Sequence, residues 1–391
     1  MSAPQHPAHA QVPHVLAAEP PRSRPSSIEH ELPKVGKIVF RVQGIPLEVT
    51  LEGLEKSFKS HFKRSNSQEN TIDTGLSSLV PCCYGSGHQT ALIQFQPQTP
   101  KRLESLAPGR CYDFEDPDFQ CRITIDQDFM GSTQLYPTIS NLRIEADVVA
   151  IPGINGHAYG SWTGASKQNR KTMWLRDFMR KDFHTCRTMI FGYHSALLEH
   201  YAHTMSDYTE DLLQEVTRAR GNAEEMGRPI IFMGHSFGGI LITHSIVKAW
   251  ISKQPGRLCG SILNNFKGAI FFGTPHQGLQ HLDELLEAVK KNQGRKALLE
   301  SIKFGNRDLE DTLSAFKRYC QETKLEVVSI KESRETRKAT KGELGELARN
   351  GELVMFVAVA FSELKLPENL ETTAMAEGDH SSLIYEQGGY V

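Results

Sequence analysis

The stretch Arg228-Pro-Ile-Ile-Phe-Met-Gly-His-Ser-Phe-Gly-Gly-Ile-Leu-Ile-Thr-His-Ser245 decides how this chain is read. An apolar run, Ile230 to Met233, ends in Gly234-His-Ser-Phe-Gly-Gly239, and a second apolar run follows at once. Gly-x-Ser-x-Gly alone is weak, because a chain of 391 residues produces one by chance on the order of one time in ten. The setting strengthens it: a strand leads in and a helix leads out, which is what a nucleophile elbow requires. A serine raised on so tight a turn tolerates no bulk two residues before or two after it, and Gly234 and Gly238 stand there. Gly239 lets the helix pack close. The turn also sets the Phe237 N–H at a helix N-terminus, where it can stabilise an oxyanion.

Outward from the elbow, strands alternate with helices. Ala146 to Ile151, Arg187 to Phe191, Pro229 to Met233, Lys267 to Phe272 and Leu325 to Ile330 read as buried strands of the parallel kind. Asp207 with Glu210 reads as a capping-box start for the helix carrying Leu212, Leu213 and Val216. The alternation predicts a mostly parallel sheet flanked by helices over 129–391. Between the fourth and fifth strands lies a helical insertion, about 276–323. Its stripes, Leu282-Leu285-Leu286-Val289 and Leu309-Leu313-Phe316-Cys320, are expected to be packing faces of a cap over the sheet's C-terminal edge.

The N-terminal third differs in kind. Residues 1–34 are rich in Pro, Ala, Ser and His, too polar to offset chain entropy, and are expected to be disordered. Residues 35–128 read as a small α+β unit. A strand at 37–42 precedes a helix with Leu51, Leu54, Phe58 and Phe62 on one face. Strands at 76–80 and 90–95, a short helix at 100–106 and a strand at 121–125 follow. That β-α-β-β-α-β order predicts a ferredoxin-like domain. The strand Thr90 to Phe95 lacks the basic and aromatic residues that stack bases, so a structural or protein-partner role is expected, with no nucleic acid. Lys plus Arg (44) nearly balances Asp plus Glu (46), and a net charge of −2 supplies no field to hold a polyanion. Seven cysteines, an odd number without a CxxC pair, fit neither a disulfide framework nor a zinc site. Reduced thiols, with no apolar run of membrane-spanning length and no signal peptide, make the cytosol the default compartment.

A nucleophilic serine needs a base and a group to orient it, in the order serine, acid, histidine for this fold. Downstream of Ser236 stand His244, His276, His281 and His380. His380, in the polar stretch Glu377-Gly-Asp-His-Ser-Ser382, occupies the place of the base. Glu332, just past the fifth strand, is the preferred acid, with Glu335 and Asp379 as rivals. A second oxyanion donor is expected after the first strand, in Ile151-Pro-Gly-Ile-Asn-Gly-His157, where Gly153 permits the turn and Ile154 offers its N–H. No metal or organic cofactor is needed for such chemistry.

Taken together, these motifs resemble the lipase-like serine esterases of the α/β-hydrolase superfamily. The likeness is greatest to the esterase modules of fungal NACHT/NB-ARC receptor-like proteins and to related serine-active-site proteins. It rests on Val149-Ala-Ile-Pro-Gly-Ile-Asn-Gly-His157, Trp174-Leu-Arg-Asp177, Phe191-Gly-Tyr-His194, the elbow, Phe271-Phe-Gly-Thr-Pro-His-Gln-Gly278 and Gly378-Asp-His-Ser-Ser382. The resemblance implies Ser236 as nucleophile, His380 as base and Glu332 as acid. It also implies that Gly153, His235, Thr274 and His276 line the pocket for a small-molecule or lipid ester. Pro152 stands where the family usually has His, and His194 where Asp is common. No GxxxxGK[ST] motif occurs, and the sequence given stops eleven residues after His380. A shortened, hydrolase-like binding or signalling module is therefore the alternative expectation.

Overall fold

Strands without polar alternation bury both faces, and Ala146–Ile151 does so: past Ala146 every residue is buried. Val149 and Ile151 enter one apolar core with Phe232, Phe271 and helix residues such as Leu212, Ile240 and Phe316. Their neighbours Val148 and Ala150 enter a second core with Trp162, Leu175, Met179 and Leu383. The period of two thus splits one strand between two helical layers.

A computed structural model describes residues 38–63, 73–74, 79–85, 87–96, 98–139, 142–165, 171–252, 259–342 and 346–384. The expected disordered segment 1–34 lies outside the described residues. Within them the central sheet has seven strands. Across the sheet they run Glu371–Ala376, Glu326–Glu332, Phe266–Phe272, Ile230–His235, Ala146–Ile151, Cys186–Gly192 and Gly131–Gln134. All neighbours pair in parallel except the edge strand Gly131–Gln134, which is antiparallel to Cys186–Gly192. This is the α/β-hydrolase fold.

Ahead of it lies a five-stranded antiparallel sheet in the order Leu79–Pro81, His88–Ile93, Phe40–Pro46, Cys121–Asp126, Tyr112–Asp116. The helix Leu51–Lys63 packs Leu54, Phe58 and Phe62 against its core. Tyr112–Asp116 is an edge strand that the sequence reading had not included. Arg41, 5% exposed, ties the two sheets together. Its guanidinium donates to Asp126 Oδ2 at 2.8 Å, to the Met130 carbonyl at 2.9 Å and to Thr133 Oγ1 at 2.8 Å.

Two expectations about helices need correction. The capping box opens three residues earlier than read: Thr204 is the N-cap of Met205–Arg218, and Asp207 Oδ2 accepts the Thr204 N–H at 2.7 Å. Thr204 holds extended backbone (φ −90°, ψ 172°), so the helix begins after it, and Asp207 falls at the third helical position, where a carboxylate reaches back. The insertion is helical, as Asp283–Ala288, Gln293–Ser301 and Arg307–Thr323. However, Leu309, Leu313, Phe316 and Cys320 join the core beneath the sheet with the elbow helix Phe237–Ser252, so this last helix is a flanking layer and not a cap.

Candidate active site

The elbow strand and elbow helix meet at Ser236, whose φ is +53°. A non-glycine residue in this region is strained and is held there by its surroundings. The Ser236 N–H donates to the Phe272 carbonyl at 2.9 Å, and the Ser236 carbonyl accepts from Gly239 at 3.0 Å. The flanking glycines are required by space. A Cβ on Gly234 would lie 2.6 Å from the Gly239 Cα, and one on Gly238 would run into the Ile151 and Pro152 carbonyls.

Three side chains expected to meet do meet. Ser236 Oγ lies 2.8 Å from His380 Nε2, and His380 Nδ1 lies 3.1 Å from Glu332 Oε2. All three are buried, at 5%, 2% and 1% exposure. Glu332 ends its sheet strand; the rival Asp379 instead accepts the amides of Ser381 and Ser382 through Oδ1. Burial holds the His380 imidazole well below its ordinary pKa, helped by the positive charge of Arg349 and opposed by Asp379. Burial pushes the Glu332 carboxyl up, against the lowering effect of the Val357 N–H. The resting imidazole is therefore neutral, with its Nε2 lone pair free to accept from the serine hydroxyl. A hydroxyl, a neutral imidazole and a buried carboxyl in one line can pass a proton and expose an alkoxide-like oxygen.

Sequence reasoning missed how the imidazole is held. The strands Thr336–Lys341 and Leu347–Val354 form a hairpin between Glu332 and the histidine segment. Its first residue, Thr336, accepts the His380 N–H through Oγ1 at 2.7 Å. Just beyond its last strand, the Val357 N–H donates to Glu332 Oε1 at 2.6 Å. From the elbow, His235 Nε2–H donates to the His380 carbonyl at 2.8 Å, which fixes its tautomer. Phe356 packs on the imidazole with ring centroids 4.5 Å apart.

The turn Ile151 to His157, expected to carry a second oxyanion donor, lies against the elbow. A Cβ on Gly153 would lie 3.0 Å from the Ser236 Cβ, so this turn rests directly on the serine. It is pinned by Asn155 N–H to the Ser195 carbonyl at 2.9 Å and by Tyr193 O–H to the Pro152 carbonyl at 2.9 Å. Phe237 opens the elbow helix, so its amide has no intrahelical acceptor.

A cavity of about 340 Å³ opens over Ser236. Its lining includes Gly153, Ile154 and His235 together with Ala339, Leu347, Arg349 and Phe356 of the hairpin segment. Of the helical insertion, Leu285 reaches it. Thr274 and His276, expected in the lining, are instead buried behind the elbow at 0% and 2% exposure. Thr274 fills the space above Gly239, and His276 packs edge-on against Phe271, 4.7 Å between centroids. A larger cavity, about 570 Å³, lies at the seam of the two sheets beside Leu92, Gln127, His157 and Arg176, away from the reactive side chains. Among the described residues, no cluster of His, Cys, Asp and Glu is placed to hold a metal ion, and no helix is long and apolar enough to cross a membrane.

No family model matches the chain. Curated relatives include Protein SERAC1 from Bos taurus, 28% identical over 159 residues, and from Mus musculus, 28% identical over 153 residues. Those matches cover 36% and 34% of this chain but only 23% and 22% of the relatives, so it spans less than a quarter of their length. Among solved structures, Bacillus licheniformis lipase BlEst2 is matched at 14% identity and TM-score 0.43, over 65% of this chain and 92% of that one. Phospholipase PlaB from Legionella pneumophila, in complex with thio-NAD, is matched at 15% identity and TM-score 0.35, over 48% and 38%.

Proposed function

We propose that the chain is a serine hydrolase that cleaves a carboxyl ester, of a lipid or a small acyl ester, through an acyl-enzyme on Ser236. The observation that carries this reading is the continuous line from Ser236 Oγ through His380 to Glu332, at 2.8 and 3.1 Å, on the floor of a cavity. His380 takes the hydroxyl proton as Ser236 attacks the ester carbonyl, and Glu332 holds the imidazole and stabilises the imidazolium that forms. The Phe237 and Ile154 amides receive the oxyanion. His380 then returns the proton to the leaving alcohol, and a water deprotonated by the same imidazole releases the acid. The motif likeness to esterase modules of fungal NACHT/NB-ARC receptor-like proteins belongs to this same proposal. So does an intracellular setting, which the free thiols of Cys82, Cys83, Cys111, Cys121, Cys186 and Cys320 favour.

Incubation of the folded chain with a fluorophosphonate probe tests the reading. Peptide mapping is expected to place the adduct on Ser236, and Ser236→Ala is expected to remove both the adduct and hydrolysis of 4-nitrophenyl butyrate. Unlabelled Ser236 in folded protein would overturn it.

A further inference from the structure

We propose that the ester taken by this cavity carries an anionic group, a carboxylate or a phosphate, which is received by Arg349. The inference deepens the serine-hydrolase reading and rests on it. Among the described residues lining the cavity over Ser236, Arg349 alone carries a permanent charge; the rest of the lining is apolar, hydroxyl, amide or imidazole. The guanidinium is held from two sides. One N–H of Nη1 donates to the Arg337 carbonyl at 3.2 Å, and Cζ lies 5.1 Å from the centroid of the Phe356 ring. Phe356 in turn packs on His380, so the cation, the aromatic ring and the imidazole form one stack leading to the serine.

Among the described residues, Arg349 has no ion-pair partner. No described carboxylate lies within 4.0 Å of it, although it is otherwise placed by packing and by the hairpin backbone. The two carboxylates whose field reaches it are already engaged. Glu332 holds His380 and the Val357 N–H, and Asp379 accepts two backbone amides. The field of Arg349 extends to the reactive groups, since it lowers the proton affinity of His235, Glu332 and His380 alike. Arg349 is itself solvent-exposed, so a ligand entering the cavity reaches it directly. A guanidinium with unspent donors in a fixed fork matches a carboxylate or phosphate, and its planarity favours a bidentate contact that a neutral ester cannot make. A cation kept at the mouth of an otherwise uncharged cavity therefore selects among esters by charge.

The test compares two substrates that differ only in charge, the 4-nitrophenyl monoester of adipic acid and its methyl ester. With the full chain, kcat/KM for the anionic ester is expected to exceed that for the neutral one by roughly 10- to 100-fold, as for a charge-assisted bidentate contact. Arg349→Met is expected to bring the ratio to about one, and Arg349→Lys to retain part of it. Competition by methyl phosphate against competition by acetate tells which anion is preferred. A wild-type ratio at or below about one, or a ratio unchanged in a folded Arg349→Met protein, overturns the proposal. If Ser236 is labelled by the fluorophosphonate and the neutral ester is the better substrate, this inference falls while the hydrolase reading stands. If neither ester is cleaved, calorimetric titration with monomethyl adipate against dimethyl adipate decides. Binding of the monoanion alone, lost in Arg349→Met, supports the site, and equal or absent binding of both overturns it.

Discussion

Thr336→Val isolates a single contact. Thr336 is 1% exposed and its Oγ1 accepts the His380 backbone N–H at 2.7 Å, so valine keeps the shape and removes the acceptor. A buried amide left without a partner costs about 1–3 kcal/mol. The histidine segment can recover part of that only by shifting toward another acceptor, and any shift carries Nε2 away from its position 2.8 Å from Ser236 Oγ. A displacement of about 1 Å at a reacting group lowers rates on the order of 100-fold. The expected result is a fall in kcat on 4-nitrophenyl butyrate of roughly 10- to 100-fold with KM changed by less than about twofold, since Thr336 does not line the cavity. Fluorophosphonate labelling of Ser236 should slow in parallel, and Tm should drop by a few degrees. Thr336→Ser, which restores the acceptor, should recover most of the rate. A Thr336→Val protein that labels Ser236 at the wild-type rate would refute the view that the hairpin is part of the support for His380.

Acid should destabilise the fold, and the sign follows from four buried histidines and one glutamate. His235, His276 and His380 are buried and pushed down from 6.5 to about 3, and His244 to about 4, so from about pH 4 to 6.5 the unfolded chain binds protons that the native one does not. Glu332, raised from 4.5 to about 7, acts in the opposite sense between those two values, because the native state keeps a proton the unfolded state releases. Near pH 5.5 the balance is four less one, an uptake of about three protons on unfolding, so urea unfolding should show stability falling by roughly 4 kcal/mol per pH unit lost; a flat profile between about pH 5 and 6.5 would contradict this. At the other end of the sheet, Asp147, fully buried, accepts from Arg187 at 2.8 and 3.1 Å, from Arg220 at 3.0 Å and from Arg228 at 2.9 Å. Asp147→Ala leaves these buried guanidinium groups facing one another and should cost about 3–5 kcal/mol in urea unfolding. A loss below about 1 kcal/mol would show that the cluster relaxes into solvent.

The parts of the site that were legible are those written in local pattern. Apolar runs flanked by glycines gave the elbow strand and helix, and the fixed order serine, acid, histidine then reduced the downstream candidates to a few. Sequence favoured Glu332 as the acid, for its place just past a strand, but left Glu335 and Asp379 as rivals. The structure separates Glu332 from Asp379 by what else they hold: Asp379 caps its own turn, while Glu332 ends a buried strand facing the imidazole. The paired strands Thr336–Lys341 and Leu347–Val354 were not legible at all. Apart from Thr336 their residues are exposed or half-buried and carry mixed charge, so no face stands out. Asn350 and Gly351 sit within the strand Leu347–Val354, at the irregularity where the register slips between Arg337 and Ala339.

By itself, then, the sequence determined the alternating sheet and the position of Ser236. Strand period, glycine spacing and helix start are properties of neighbours along the chain, and a serine at φ +53° needs small residues on either side whatever lies further away. Only the tertiary structure decided what surrounds that serine. His380 comes from 144 residues downstream, its amide is held by Thr336, and the cavity wall is a hairpin bearing Arg349. Those contacts are made between segments distant in sequence, where no local periodicity records which partner each buried polar group will find.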